Sequence, residues 1–134
     1  MGVTYIQAQK IAEAAKRKAE EIGVPMNIAV VDEGANLKLF IRMDNALLGS
    51  GDIAIKKART SSFFNIDSED VGKQSQPGGP LYNIEETNGG LVSFPEGLVL
   101  KSSTGEIIGA IGVSGGKVEQ DLQVASFGMA ALEE

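Results

Sequence analysis

Cysteine and histidine are both absent from the 134 residues. With them go disulfides, thiolate nucleophiles, cysteine- or histidine-based zinc sites and the imidazole that most hydrolases use as a base. No apolar run is long enough to span a bilayer. The N-terminal "MGVTYIQAQK" lacks the basic-then-apolar pattern of a secretory signal and has no Ser or Thr at the myristoylation spacing. A cytoplasmic location and no membrane partner are therefore expected. Positive charge is also scarce: the formal net charge is −6 and the pI near 4.7. Nucleic acid, whose affinity rests on clustered Lys and Arg, is not an expected partner. The one basic cluster, Lys16-Arg17-Lys18, is flanked by Glu13, Glu20 and Glu21 and reads as a solvated helix face.

The length suits a single domain over residues 1–134 with a core of its own. Thr4 and Gln7 form a capping box, and Ala8, Ile11, Ala12, Ala15, Ala19 and Ile22 recur at helical spacing until Gly23 and Pro25 stop the helix. Asn27–Asp32, "NIAVVD", is apolar on both faces, as in a central strand. After the turn "EGAN", the alternating "LKLFIRM" of Leu37–Met43 completes a hairpin. A second helix starts at Ser50 or Asp52 with Ala54, Ile55, Ala58 and Ser62 as its inner face, and a short third one starts at Asp67. Gly72 and "QPGGP" (Gln76–Pro80) then open a long loop.

The remaining half reads as three strands, "GLVSF", "GLVLK" and "EIIGAIGV", and a terminal helix with Val118, Leu122, Ala125, Met129 and Leu132 on its inner stripe. The expected class is α+β, a five-stranded antiparallel sheet with packed helices.

Gly112-Val113-Ser114-Gly115-Gly116 satisfies the G-x-S-x-G pattern of a nucleophile elbow. A serine nucleophile needs a base, and Lys56, Lys57, Lys101 and Lys117, the lysines considered for that role, all stand in polar sequence contexts. Without one the turn is either a seat for a carboxylate or phosphate on backbone N–H groups or a structural junction, in which Glu119 and Asp121 cap the helix. Arg42 offers a planar fork to a carboxylate, or else pairs with Asp44. Tyr82, in the loop "QPGGPLYNIEETNGG", either stacks on a ligand or anchors an interface. The acidic sets Asp67/Glu69/Asp70 and Glu85/Glu86 lack calcium-loop spacing and read as caps and surface. No catalytic and no metal-ligating residue is assigned.

The segments "PMNIAVVDEGANLKLFIRMDNALLGSGDIAIKKA", "SQPGGPLYNIEETNGGLVSFPEGLVL" and "EIIGAIGVSGGKVEQD" resemble, in order, the GlcG/HbpS family, which includes the C-terminal domain of PduO-type corrinoid adenosyltransferases. The resemblance implies a profilin-like fold with helices on both faces of the sheet and assembly into homo-oligomers. It also implies a small-molecule ligand, a tetrapyrrole such as heme or cobalamin. Contacts are then expected from Arg42 and Met43 at a strand end, Tyr82, Asn88 and Gly89 in the 76–90 loop, and Ser114, Gly115 and Gly116 in the turn. The chain departs from the family in having no histidine, so axial ligation falls to Met43, Tyr82 or another oxygen donor, or gives way to propionate and apolar contacts. It departs again at "FPEG" (Phe94–Gly97), where many relatives carry a run of glycines. Two other readings are an accessory oligomer of a diol, glycerol or glycolate pathway without a cofactor, and an enzyme on a small hydroxyacid.

Overall fold

The computed structural model describes residues 2–133. Helix α1 spans Tyr5–Ile22 and begins with the expected box: Thr4 Oγ1 accepts from the Gln7 N–H at 3.1 Å, and Gln7 Oε1 accepts from the Thr4 N–H at 2.9 Å. Gly23, at φ 75°, ends it in the left-handed region that a residue without a Cβ adopts freely. Strands β1 (Asn27–Asp32) and β2 (Leu37–Arg42) form the hairpin. Asp32 Oδ1 closes their turn by accepting from the N–H groups of Gly34 and Asn36, both at 2.9 Å. Helices α2 (Gly49–Phe64) and α3 (Ser68–Gln74) follow, then strands β3 (Gly97–Lys101) and β4 (Ile107–Ser114), and helix α4 (Val118–Ala130). One-turn 3-10 helices cover Ile84–Glu86 and Ala131–Glu133. No helix among the described residues is long and apolar enough to cross a membrane.

The sheet is antiparallel throughout in the order β2-β1-β4-β3, so β1 and β4 are central. Alternation along the central strands divides the core in two. Ile28 and Val30 of β1 and Ile111 and Val113 of β4 face α1 and α4, where they meet Ile11, Ala12, Val124 and Ala125. Ala29, Val31 and Ala110 face α2 and meet Ala54 and Ala58. Small residues let α2 lie close to the sheet: a Cβ on Gly112 would stand 2.1 Å from the Ala54 carbonyl oxygen, and one on the paired Gly97 2.2 Å from that of Lys57.

The structure corrects the sequence reading in two places. The sheet has four strands rather than five, because "GLVSF" does not pair. The Leu91 N–H donates to the Glu85 carbonyl, the Val92 N–H to Thr60 Oγ1, and the Phe94 carbonyl accepts from Ser68 Oγ. Backbone groups that a strand would offer to a neighbour are thus consumed by α2, α3 and the loop. On α4, the inner face is Asp121, Val124, Ala125 and Gly128, while Val118, Leu122 and Met129 are exposed. Close packing decides this: a Cβ on Gly128 would lie 3.0 Å from the Ala15 Cβ and 2.9 Å from Ile111 Cδ1, so only the small side of α4 fits against α1.

Candidate functional site

The turn after β4 carries its own anion. Asp121, on the first turns of α4, places Oδ1 2.8 Å from the Gly116 N–H, and the Gly115 N–H points at the same carboxylate. The two glycines leave N–H groups free at a helix N-terminus, where a negative charge is favoured, and an internal side chain uses that preference. Ser114 is buried beside them, and no hydrogen bond joins its Oγ to any described residue. It has no base: the nearest candidate, Lys57, donates elsewhere.

Lys57 stands on the inner face of α2, 2% exposed. Its Nζ donates to the Val113 carbonyl at 2.8 Å and to Asp121 Oδ2 at 3.5 Å, and lies 5.5 Å from the centre of the Phe94 ring. Glu96, 1% exposed, is the third charged member. Its carbonyl accepts from the Val113 N–H, while its side-chain Oε2 is buried with no partner. Burial lowers the proton affinity of the Lys57 amine despite the pull of Asp121 and Glu96. The same burial raises the Asp121 carboxyl against the Gly116 N–H and Lys57, and lifts that of Glu96 from 4.5 to about 7. An amine and two carboxyl groups therefore share one dry enclosure and compete for protons within it.

The sequence reading gave Lys57 a polar context, Asp121 a capping role and Glu96 only a place in the "FPEG" segment, and in each case burial overturns or extends the assignment. A signal was present. Ala54, Lys57, Ala58 and Ser61 recur at i, i+3, i+4, i+7 on α2, and Asp121, Val124, Ala125 and Gly128 do so on α4. A charge at an inner position of a small-residue stripe is turned inward with the stripe.

The residues expected to hold a ligand fall into separate groups. Arg42 and Ser114 are both register partners of Asn27, so the three share one row at one end of the sheet. Arg42 is exposed and forms no ion pair with Asp44 or any other described residue. Asn27 is buried; its Nδ2 donates to the Leu47 carbonyl at 3.0 Å, and its Oδ1 has no partner. Met43 turns away from this row, packing against the core under α1, with its sulfur accepting from the Met26 N–H at 3.4 Å. Tyr82 is 57% exposed in the loop. Asn88 and Gly89 are left-handed there at φ 53° and 75°, and Asn88 Nδ2 donates to Thr87 Oγ1. The adjoining Gly90 lies against Lys56 of α2.

Two surface grooves lie apart from these groups. One of about 380 Å³ runs between β3 and the end of α4 past Val99, Met129 and Leu132. Another of about 350 Å³ is bounded by α3 and the Ser93–Pro95 segment. Asp67, which starts α3, does not cap it with its side chain but accepts the Val99 N–H at 3.0 Å, tying the helix to β3.

The chain has relatives among known proteins. The profile of the family described as haem-degrading protein HbpS-like matches residues 3–130. A 15.0 kDa protein from the dhaT-dhaS intergenic region of Citrobacter freundii is 40% identical over 133 residues, 98% of this chain and 93% of that one. The corrinoid adenosyltransferase PduO of the same organism is 35% identical over 98% of this chain. The chain spans only 39% of that enzyme's length. A crystal structure of a PduOC:heme complex superposes with a TM-score of 0.91 at 32% identity, covering 98% of this chain and 95% of that one.

Proposed function

This chain belongs to the HbpS-like family, and on that premise we propose that it is a small oligomeric ligand-binding protein whose ligand is a tetrapyrrole, heme or a corrinoid. The observation that carries the reading is the heme complex of a relative that matches 98% of the chain at 32% identity. The donors that the chain offers decide its fit. With no histidine, and with the Met43 sulfur engaged by the Met26 N–H in the core, the accessible donor among the expected residues is the Tyr82 phenol. The unpaired Arg42 guanidinium suits a propionate, which it grips with two parallel N–H groups. Asn88, Gly89 and the edge of the Ser114–Gly116 turn supply the remaining contacts. Gly116 N–H stays with Asp121, so the ligand meets the outer edge of that turn at Gly115 and Gly116 rather than an empty anion seat, with Ser114 buried behind it. When bound, the macrocycle supplies redox or carrier chemistry at its metal, while the chain binds and orients it.

The exposed stripe of Val118, Leu122 and Met129 supports association with a second copy, since large apolar side chains at helical spacing are costly to leave in water. A tetrapyrrole across the Arg42 row and the Tyr82 loop then draws on surface that one copy leaves open.

A second reading is favoured by the missing histidine and the engaged Met43: an accessory oligomer, of a diol, glycerol or glycolate pathway, that holds no cofactor. Titration of the purified chain with hemin and with cobalamin, followed by absorbance and paired with a measurement of mass in solution, separates the two. Saturable binding at micromolar concentration by an oligomer is the expected result. An intact oligomer that binds neither compound at that concentration supports the accessory reading instead.

A further inference from the structure

The tetrapyrrole reading leaves the buried amine unused. Lys57 Nζ lies 5.5 Å from the centre of the Phe94 ring, and Phe94 is 51% exposed, so that one side chain reaches from the buried amine to solvent. On its outer side, Phe94 and Pro95 are among the residues lining the groove of about 350 Å³. Inside, Asp121 and Glu96 flank the amine, and the buried Glu96 Oε2 has no partner to hold it in place.

We propose that Lys57 is a carbonyl-capturing amine, forming an imine with small neutral aldehydes or ketones admitted past Phe94. The proposal is independent of tetrapyrrole binding. Capture begins when the amine lone pair attacks the carbonyl carbon and the carbonyl electron pair moves to oxygen, which takes up a proton. Asp121, 3.5 Å from Nζ, accepts the proton that nitrogen sheds and passes it to that oxygen, giving the carbinolamine. Glu96 then protonates the carbinolamine hydroxyl, the C–O bond breaks and water leaves as the C=N bond forms, and the iminium nitrogen returns its proton to Glu96. The sum is carbonyl compound plus amine giving imine plus water, with no oxidant or reductant. Desolvation lowers the proton affinity of the amine, which favours the uncharged form that the first step draws on, and it raises the Glu96 carboxyl to about 7 for the second. Asp121 stands beside the amine and Glu69 lines the groove next to Phe94, so a 2-oxo acid is repelled where an uncharged carbonyl is not.

The test incubates the full chain with butanal, or with pyruvate, in sodium cyanoborohydride and maps the reduced adduct by peptide mass spectrometry. Lys57 should be modified by butanal faster than each of the other lysines, and by butanal faster than by pyruvate. Glu96→Gln should slow the reaction at Lys57 by roughly a hundredfold, the lower end of the usual range for losing a general acid. Phe94→Ala should speed it, leaving the surface lysines unchanged. Lys57→Met should abolish the major adduct. Should that variant fail to fold, the Phe94→Ala comparison still decides. Modification of Lys57 no faster than that of the exposed lysines, in both the parent and Phe94→Ala, overturns the proposal and leaves Lys57 a purely structural ion partner.

Discussion

Replacing Glu96 with glutamine should remove most of the pH dependence of stability between about pH 5 and pH 8. The Glu96 side chain is 1% exposed with one oxygen unpartnered, and burial lifts its carboxyl from 4.5 to about 7, with Asp121 and Glu69 pushing the same way and Lys57 opposing. Because the folded-state value is the higher one, the folded chain holds a proton that the unfolded chain has released. The stabilisation is complete below the unfolded value of 4.5 and is lost as pH rises through about 7. At about 1.4 kcal/mol per pH unit, the loss amounts to about 3 kcal/mol. Asp121, also raised by burial, contributes a slope of the same sign from its lower starting value, whereas Lys57, lowered by burial, contributes the opposite slope on the alkaline side. Both remain in the variant, so the difference between the two proteins reports Glu96 together with its pull on Lys57. The chain has no tryptophan, so urea unfolding is best followed by far-UV circular dichroism, near pH 5 and near pH 8.5. Glutamine should gain about 3 kcal/mol on the parent between those two conditions. A difference that stays constant to within about 0.5 kcal/mol would refute the view that Glu96 is a buried, proton-binding carboxyl.

Four other perturbations follow from the same structure. Gly112→Ala drives a Cβ into the Ala54 carbonyl and the Ala58 nitrogen of α2, which are backbone atoms that cannot swing aside, and should cost about 3 kcal/mol or more in urea unfolding. Gly23→Ala has open space around it and should cost only about 1 kcal/mol, from its left-handed backbone. Asp121→Ala strands Lys57 and the Gly116 N–H together, so about 3–5 kcal/mol should be lost near neutrality and less at higher pH, where the amine is uncharged. Arg42→Ala removes no contact to a partner among the described residues, so stability should hold while hemin affinity falls about tenfold in an absorbance titration.

Where local rules and packing agreed, the sequence was readable. Thr4, Gln7 and the alanine stripe specify α1, and the apolar run of β1 marks a strand covered on both sides. Alternation in "GLVSF" matches a strand equally well, but Thr60, Ser68 and Glu85 take its backbone groups first, and no local pattern reveals that competition. On α4 the largest apolar residues suggest the inner face, whereas the distance to α1 admits only Ala125 and Gly128. The buried ionisable groups were hidden for a different reason. Charged residues are assigned to water by default, and only their place among the small inner residues of α2 and α4 betrays Lys57 and Asp121. Of the expected ligand contacts, the Arg42–Ser114 row follows from strand register, which the sequence alone leaves open, while the inward turn of Met43 follows from its bond to Met26.

Amide chemical-shift mapping with zinc protoporphyrin tests the tetrapyrrole assignment most directly, because it reports binding and place together. Saturable shifts concentrated at Arg42, Tyr82, Asn88, Gly89 and the Ser114–Gly116 turn are the predicted outcome. A spectrum unchanged at micromolar ligand, or shifts confined to the groove beside Val99, Met129 and Leu132, would contradict it.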